Sequence, residues 1–271
     1  MNETKTSAPL YLQCTRAQAV STWLGAGLNA GLVVWCAWWL ARNANEAQPV
    51  WPVLAALVLL GLFLGDLFTG LIHWLTDTWF DEVQFTRVIS IAREHHLYPQ
   101  HILGYNFRDY VGYTSWPAVL FFAPVLPWLL LRSEASAVAY GAVLVCGEVC
   151  ALSFLGTHLH RLGHRRSENP VVRILQRSGF LISPQYHARH HVGVTHDTHY
   201  CVVNGWANVV CDAIGFWRGL EKAVHWLTGA VPRHNDREWL ERHRQDRVFL
   251  SDPVPSLQQW RSSEASRTNS E

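Results

Sequence analysis

The sequence predicts an all-α integral membrane protein, with about four transmembrane helices and a cytoplasmic helical cap rich in histidine. Three observations predict it. The 271 residues are 49% hydrophobic, yet mean hydropathy is only +0.02, so the apolar residues are segregated into blocks. Four blocks are long enough to cross about 30 Å of hydrocarbon as helices. Ten of the fifteen histidines fall in four tight groups just outside those blocks.

Taken in order, residues 1–18 form a polar N-terminal tail. The apolar blocks follow at 19–41, 51–75, 113–132 and 136–157, making 19–157 a four-helix transmembrane region with a cytoplasmic segment at 76–112. The first block has bulky Trp residues near its end where a signal peptide would carry a small-residue cleavage site, so it is expected to persist as a helix. Pro124 and Pro127 are expected to kink the third. Glu148 lies inside the fourth, where an unpaired charge is unfavourable; it either faces the helix bundle or is protonated. Residues 158–240 make the cytoplasmic cap. Its apolar stretch 171–182 is too short to span, is interrupted by Arg173 and Arg177, and could lie in the interface as an amphipathic helix. Residues 241–271 read as a polar, disordered tail.

Fourteen Trp against one Met also fit a membrane boundary, where Trp concentrates. Twenty of the 22 Lys and Arg lie on one side of the predicted spans; only Arg42 and Arg132 lie on the other. The positive-inside rule therefore puts both termini and all the histidine clusters in the cytoplasm, under a bacterial inner membrane or an equivalent ER-type membrane. A net charge of +1 leaves no one-sign field and argues against nucleic acid as a partner. The six cysteines form no CxxC pair and read as free thiols.

The histidine groups point to metal, since neutral imidazole is the commonest metal-binding side chain. His73 and Asp77 are four apart on one helix face; one can ligate while the other ligates or orients it. The neighbours His95 and His96 point about 100° apart on a helix. They suit two metals, or one metal and an orienting role, better than one shared ion. His160 and His164 are again four apart, with His158 on another face as a bystander. His187, His190 and His191 form a three-imidazole stripe, followed by His196. His199 is a neighbour, and His225, His234 and His243 read as surface residues. Nine candidates plus Asp77 are too many for one zinc. The absence of thiolates among them disfavours iron–sulfur, and haem needs one or two axial ligands rather than a crowd. Non-haem iron with oxygen chemistry suits such a set, and two irons is the most economical count. A non-catalytic metal- or haem-binding membrane protein is the rival; it would string histidines along a route across the bilayer.

These residues resemble the plasmanylethanolamine desaturase family, also called the lipid desaturase domain family. It includes the animal enzyme that makes the plasmalogen vinyl ether, bacterial counterparts and a plant chloroplast acyl-phosphatidylglycerol desaturase. The likeness covers roughly residues 60–240. It rests on Gly70-Leu-Ile-His73-Trp74 with Asp77-Thr-Trp79, Arg93-Glu-His95-His96 with Pro99, His160 with His164, and His187-x-x-His190-His191 with His196. It continues through Tyr200-Cys201 and Gly205-Trp206-x-Asn208, then Gly215-Phe-Trp-Arg218, Leu220-Glu221, Leu227-Thr-Gly229 and Pro232-Arg233. The last group looks like the plasmanylethanolamine branch. The resemblance implies an O2-dependent lipid desaturase with a non-haem di-iron centre on His73, His95, His96, His160, His164, His187, His190, His191 and His196. It implies a membrane phospholipid substrate and an external electron donor, a small cytochrome or ferredoxin with its reductase. Animal members carry a His-Asp pair after the proline of the His-His segment. Here that region reads Gly104-Tyr105-Asn106-Phe107, and no ligand carries over; His101, His158 and His199 are extras. Arg93 and Arg189 are candidate phosphate contacts, and an acyl desaturase or hydroxylase on the same scaffold is the nearest alternative.

Overall fold

The computed structural model describes residues 15–47, 50–79, 91–92, 95–96, 99–105, 110–132, 136–191 and 197–233. Arg93, His196, Cys14, His234, His243, the tail 241–271 and much of segment 76–112 lie outside the described residues.

Among the described residues the chain is all-helical. Helices α1 (Arg16–Ala47) and α2 (Trp51–Thr78) come first. Pro52 sits in the first turn of α2, where its missing N–H breaks no bond. A 3-10 turn (Pro99–Gly104) precedes the short helices α3 (Ser115–Phe122) and α4 (Leu126–Arg132). Then comes α5 (Ala137–Gly163), whose start is capped by the Ser136 hydroxyl accepting the Ala139 N–H at 3.2 Å. Four short helices follow: α6 (Pro170–Arg177), α7 (Pro184–His191), α8 (Trp206–Ala213) and α9 (Phe216–Thr228).

Among the described residues three helices, α1, α2 and α5, are long and apolar enough to span a membrane. The third predicted span differs: it is two short helices separated by a turn containing Pro124. A proline inside a helix removes one hydrogen bond and clashes with the preceding turn, so the block breaks instead of bending. Pro127 falls in the first turn of α4, where proline is tolerated.

Helix α5 packs along both α1 and α2 and is the centre of the bundle. One buried cluster joins Leu32, Cys36 and Trp39 of α1 to Leu126 and Leu130 of α4 and Val143 and Cys150 of α5. Within it, Asn29 donates to the Cys150 carbonyl at 3.0 Å, satisfying a polar group that hydrocarbon could not. Glu148 faces α2 inside the bundle, against Gly61, where any side chain on residue 61 would collide with its carboxylate. The five described cysteines are free thiols.

A second cluster (Trp74, Tyr200, Cys201, Ala207, Cys211 and Trp217) locks the C-terminal segments onto the end of α2. Asp66 of α2 is the anchor. Its buried carboxylate accepts the backbone N–H groups of Val203 at 2.9 Å, Asn204 at 3.2 Å and Ala207 at 3.1 Å. Gly70, one turn further, lets this segment close in: a Cβ there would meet the Cys201 sulfur at 2.5 Å and its Cα at 3.2 Å. Helix α2 has 28 residues, so it is about 42 Å long, longer than the roughly 30 Å that a hydrocarbon layer requires. The same holds for α5. Both carry histidines in their last turns.

Candidate metal centre

The fold gathers the histidine groups into two adjoining pockets. In the first, His95, His160, His164 and His191 each offer a ligand atom, all within 4.8 Å of one another. His187 joins them: its Nε2 lies 2.9 Å from the Nε2 atoms of His160 and His164 and 3.1 Å from that of His191. In the second, the ligand atoms of His73, Asp77, His96 and His190 lie within 4.8 Å of one another. Asp77 Oδ2 is 3.2 Å from His73 Nε2, 3.3 Å from His96 Nε2 and 3.4 Å from His190 Nε2. The pockets touch: the His73 ring is 5.1 Å from that of His160, and His96 is 5.0 Å from His191.

Helical geometry explains the division. His160 and His164 at the end of α5, and His187 and His191 on α7, are pairs four apart and point the same way into the first pocket. His190, one residue before His191, is rotated about 100° and enters the second. His95 and His96 divide in the same manner. His73 and Asp77 share one face of α2 and supply half of the second pocket.

The polar chemistry fits bound cations. A carbonyl oxygen only accepts, so His73 Nδ1 donates to Tyr200 O at 2.9 Å, His95 Nδ1 to Ala92 O at 2.7 Å and His190 Nδ1 to Thr198 O at 2.7 Å. These bonds fix the tautomer and leave each Nε2 as an acceptor. For His73 and His190 these acceptors face the buried Asp77 carboxylate, 3.2 and 3.4 Å away. Acceptors turned on acceptors repel unless a cation lies between them. The spacing agrees: ligand bonds of about 2.1 Å at right angles put neighbouring nitrogens about 3.0 Å apart. Burial, with the neighbouring imidazoles, pushes the pKa of His95 down to about 3 and those of His164, His187 and His191 well below 6.5. All four are therefore neutral near pH 7, the state that ligates.

A cavity of about 230 Å³ opens against both pockets. Its walls are mainly apolar, with Ile72 and Leu75 of α2, Ile91, Ile102 and Pro117 among them, and His73, His95 and His160 reach its surface.

Other histidines fall elsewhere. His158 Nδ1 shares a hydrogen bond of 3.2 Å with the Tyr110 hydroxyl, outside both pockets. His101 is buried in the 3-10 turn. His199 turns toward Asp212, 3.2 Å away, and His225 donates to Ala230 O at 2.7 Å. The Arg189 guanidinium sits 5.1 Å above the Tyr186 ring. Sequence reasoning missed the supporting residues. Asp66 is a lone carboxylate seven before His73, hence on its face of α2, a periodicity that could have found it. Glu221 and Arg233 stand among the residues that carry the family resemblance, but no spacing marks them as a pair. Arg233 binds Glu221 through two bonds of 2.9 Å, reaches Thr78 Oγ1 and the Tyr200 hydroxyl at 3.3 Å each, and donates its backbone N–H to Thr78 O at 2.8 Å. It ties α9, Tyr200 and the end of α2 together directly behind the second pocket.

A helical protein with helices of membrane-spanning length that end at two histidine-rich pockets able to hold metal, beside an apolar cavity, has the makings of a membrane oxidoreductase acting on a lipid. Comparison with known proteins makes the class specific. Residues 62–235 match the lipid desaturase domain, and the chain belongs to that family of desaturases. It is 30% identical over 201 residues to plasmanylethanolamine desaturase 1 of Mus musculus, covering 70% of this chain and 72% of the relative. It is 28% identical to the plasmanylethanolamine desaturase of Myxococcus xanthus, over 69% of this chain and 65% of that one. It is also 28% identical to the chloroplastic fatty acid desaturase 4 of Arabidopsis thaliana, over 67% of this chain and 55% of that one. No solved structure matches it.

Proposed function

We propose that this desaturase converts the 1-O-alkyl chain of an ether phospholipid, of the plasmanylethanolamine type, to the 1-alkenyl vinyl ether. Two relatives carry that activity in their names. The observation that carries the reading is the apolar cavity against which His73, His95 and His160 from both pockets are exposed. In it an alkyl chain would lie beside the ligand cluster with water excluded. Because the pockets stand at the ends of α2 and α5, the reacting carbons lie near the headgroup, as carbons 1 and 2 of an ether chain do.

The balance is one O2, two electrons and two protons consumed, two hydrogens removed from adjacent carbons, and two waters formed. Two iron ions, held by His95, His160, His164, His187 and His191 and by His73, Asp77, His96 and His190, would supply the O2 activation that an unactivated C–H bond requires. His196, outside the described residues, completes the proposed ligands. The chain's own part is to fix the Nε2 lone pairs through the carbonyls of Ala92, Thr198 and Tyr200, to wall off water and to hold the lipid chain. Arg93 and Arg189 are proposed to meet the phosphate. The electrons would come from a small cytochrome or ferredoxin with its reductase. In this reading the broken pair α3–α4 carries the chain back across the bilayer as the fourth crossing, because α2 and α5 both end at the site. Both termini and the pockets then face the cytoplasm, beneath a bacterial inner membrane or an ER-type one.

The test is expression in a host that has alkyl-ether lipids and no plasmalogen, followed by mass spectrometry. Acid-labile vinyl ethers should appear and should be absent with His96→Ala or His191→Ala, while each variant stays in the membrane. New double bonds in acyl chains, with no vinyl ether, would instead establish the acyl desaturase reading.

A further inference from the structure

Helix α6 is built inside out for a helix in water. Asn169 starts it firmly, its side chain accepting the N–H of Val171 at 2.9 Å and of Val172 at 3.4 Å, with Pro170 in the first turn. Yet none of its residues is buried. The side chain that ties it to the protein is polar: Gln176 donates to Leu162 O at 2.9 Å and Ile182 O at 3.3 Å. At 100° per residue, Val171 and Ile174 lie about 140° and 160° from Gln176, on the opposite side, with Leu175 about 100° away at the edge. Val171 is 61% and Ile174 63% exposed, and Phe180 just beyond is 45% exposed. Arg173 and Arg177 lie together along one edge of this face, and no acidic residue on the helix balances them.

We infer that α6 lies flat on the membrane surface, with Val171, Ile174 and Phe180 in the acyl boundary and Arg173 and Arg177 on anionic headgroups. An apolar face edged by basic residues, on a helix too short to span, is the pattern of an in-plane interfacial helix. The setting supplies the occupant. Helix α6 begins a few residues after α5, one of three helices of spanning length, so a leaflet surface lies at hand. A second copy of the chain is disfavoured by size. Three exposed side chains fall far short of the roughly 800 Å² per partner of a stable interface. The placement bears on the site, because α6 sits in the strap between His164 and His187. Its anchor Gln176 holds Leu162, between His160 and His164, and Ile182, which is buried beside Gly163. Docking α6 thus sets the height of the first pocket's two helices against the leaflet.

Spin labels on Ile174→Cys and, separately, Arg177→Cys in the full chain test this in bilayers containing phosphatidylglycerol. Native-thiol labelling is subtracted using the unsubstituted chain. Relaxation by dissolved O2, which concentrates in acyl chains, is compared with relaxation by a water-soluble nickel chelate. The O2-to-nickel ratio at 174 should exceed that at 177 severalfold. With Arg173→Gln and Arg177→Gln together, the ratio at 174 should fall and should no longer respond to replacing phosphatidylglycerol with phosphatidylcholine. Equal ratios at 174 and 177 would overturn the proposal. So would spin–spin broadening at 174 that disappears on dilution with unlabelled chain, which would mark a second copy as the occupant. None of these readouts depends on catalysis, so they stand or fall apart from the ether-lipid reading.

Discussion

The two pockets share two stretches of chain yet are built differently. Both draw on the His95–His96 pair and on α7. The first adds His160 and His164 from α5 and converges five imidazoles. The second adds His73 and Asp77 from α2 and has three imidazoles and one carboxylate. The first is aimed by helix register alone: two pairs spaced four apart on two helices. His95 is pinned by a carbonyl, while among the described residues the buried Nδ1 atoms of His164 and His187 have no hydrogen-bond partner. The second leans on distant chain. The carbonyls of Thr198 and Tyr200 orient His190 and His73, and the Glu221–Arg233 pair braces Tyr200 and Thr78 from behind. One pocket therefore has donors to spare and little bracing. The other has no spare donor, one anionic oxygen and a braced wall.

The largest effect should come from Asp77→Asn. It keeps the side chain's shape but removes the only charge offsetting a cation in the second pocket, and puts an amide N–H among ligand atoms. Metal analysis should find about half the metal of the unsubstituted protein, with product formation down by about 100-fold or more. Full metal content would mean that the carboxylate does not ligate. His191→Ala is the matching cut in the first pocket. It should also abolish product, but with four imidazoles left the metal should stay, bound about tenfold more weakly in a chelator titration. Equal metal loss in the two variants would erase the distinction between the pockets.

Glu221→Gln probes the bracing. It leaves the Arg233 guanidinium buried beside a neutral amide, and breaking a buried pair in this way costs about 3 kcal/mol. The thermal midpoint should drop by several degrees, and metal should leave the second pocket before the first. The pair also sets a pH dependence. Burial works to raise the Glu221 pKa, but the bonds from Arg233 and Arg218 outweigh it and hold the carboxyl below its ordinary 4.5. A depressed folded-state pKa stabilises the fold above that ordinary value. The contribution is lost as pH falls through the lower, folded value. Thermal midpoints should therefore separate unsubstituted protein from Glu221→Gln above pH 5 and converge in stronger acid.

How much of this the sequence reveals follows from the range of the interactions. The helical apolar blocks and the spacings His73/Asp77, His160/His164 and His187/His190/His191 are local, so periodicity exposes them. The angular offset of adjacent residues is local too, which is why His95 and His96 read as suited to two metals, or to one metal and an orienting role. Pro124 was legible as a kink, but whether a proline bends or breaks a helix depends on how neighbouring segments pack. The roles of Asp66, Tyr200, Glu221 and Arg233 arise from contacts between segments far apart in the chain, Asp66 with Val203 among them. No spacing rule encodes those.

The smallest effect separates histidine as composition from histidine as geometry. His158 is two residues from His160 in the same helix, but its ring turns some 200° away and meets the Tyr110 hydroxyl. Arg161 donates to the same hydroxyl at 3.0 Å and to Leu103 O at 2.8 Å, so Tyr110 keeps a partner if His158 is replaced. His158→Gln can still accept that hydroxyl through its side-chain carbonyl. Metal content should be unchanged and product formation within about twofold, since the altered contact is one neutral hydrogen bond worth about 1 kcal/mol and is largely replaced. Loss of metal in this variant would show that imidazole number, rather than the convergence of particular Nε2 atoms, holds the ions, and the contrast between two distinct pockets would dissolve into one diffuse site.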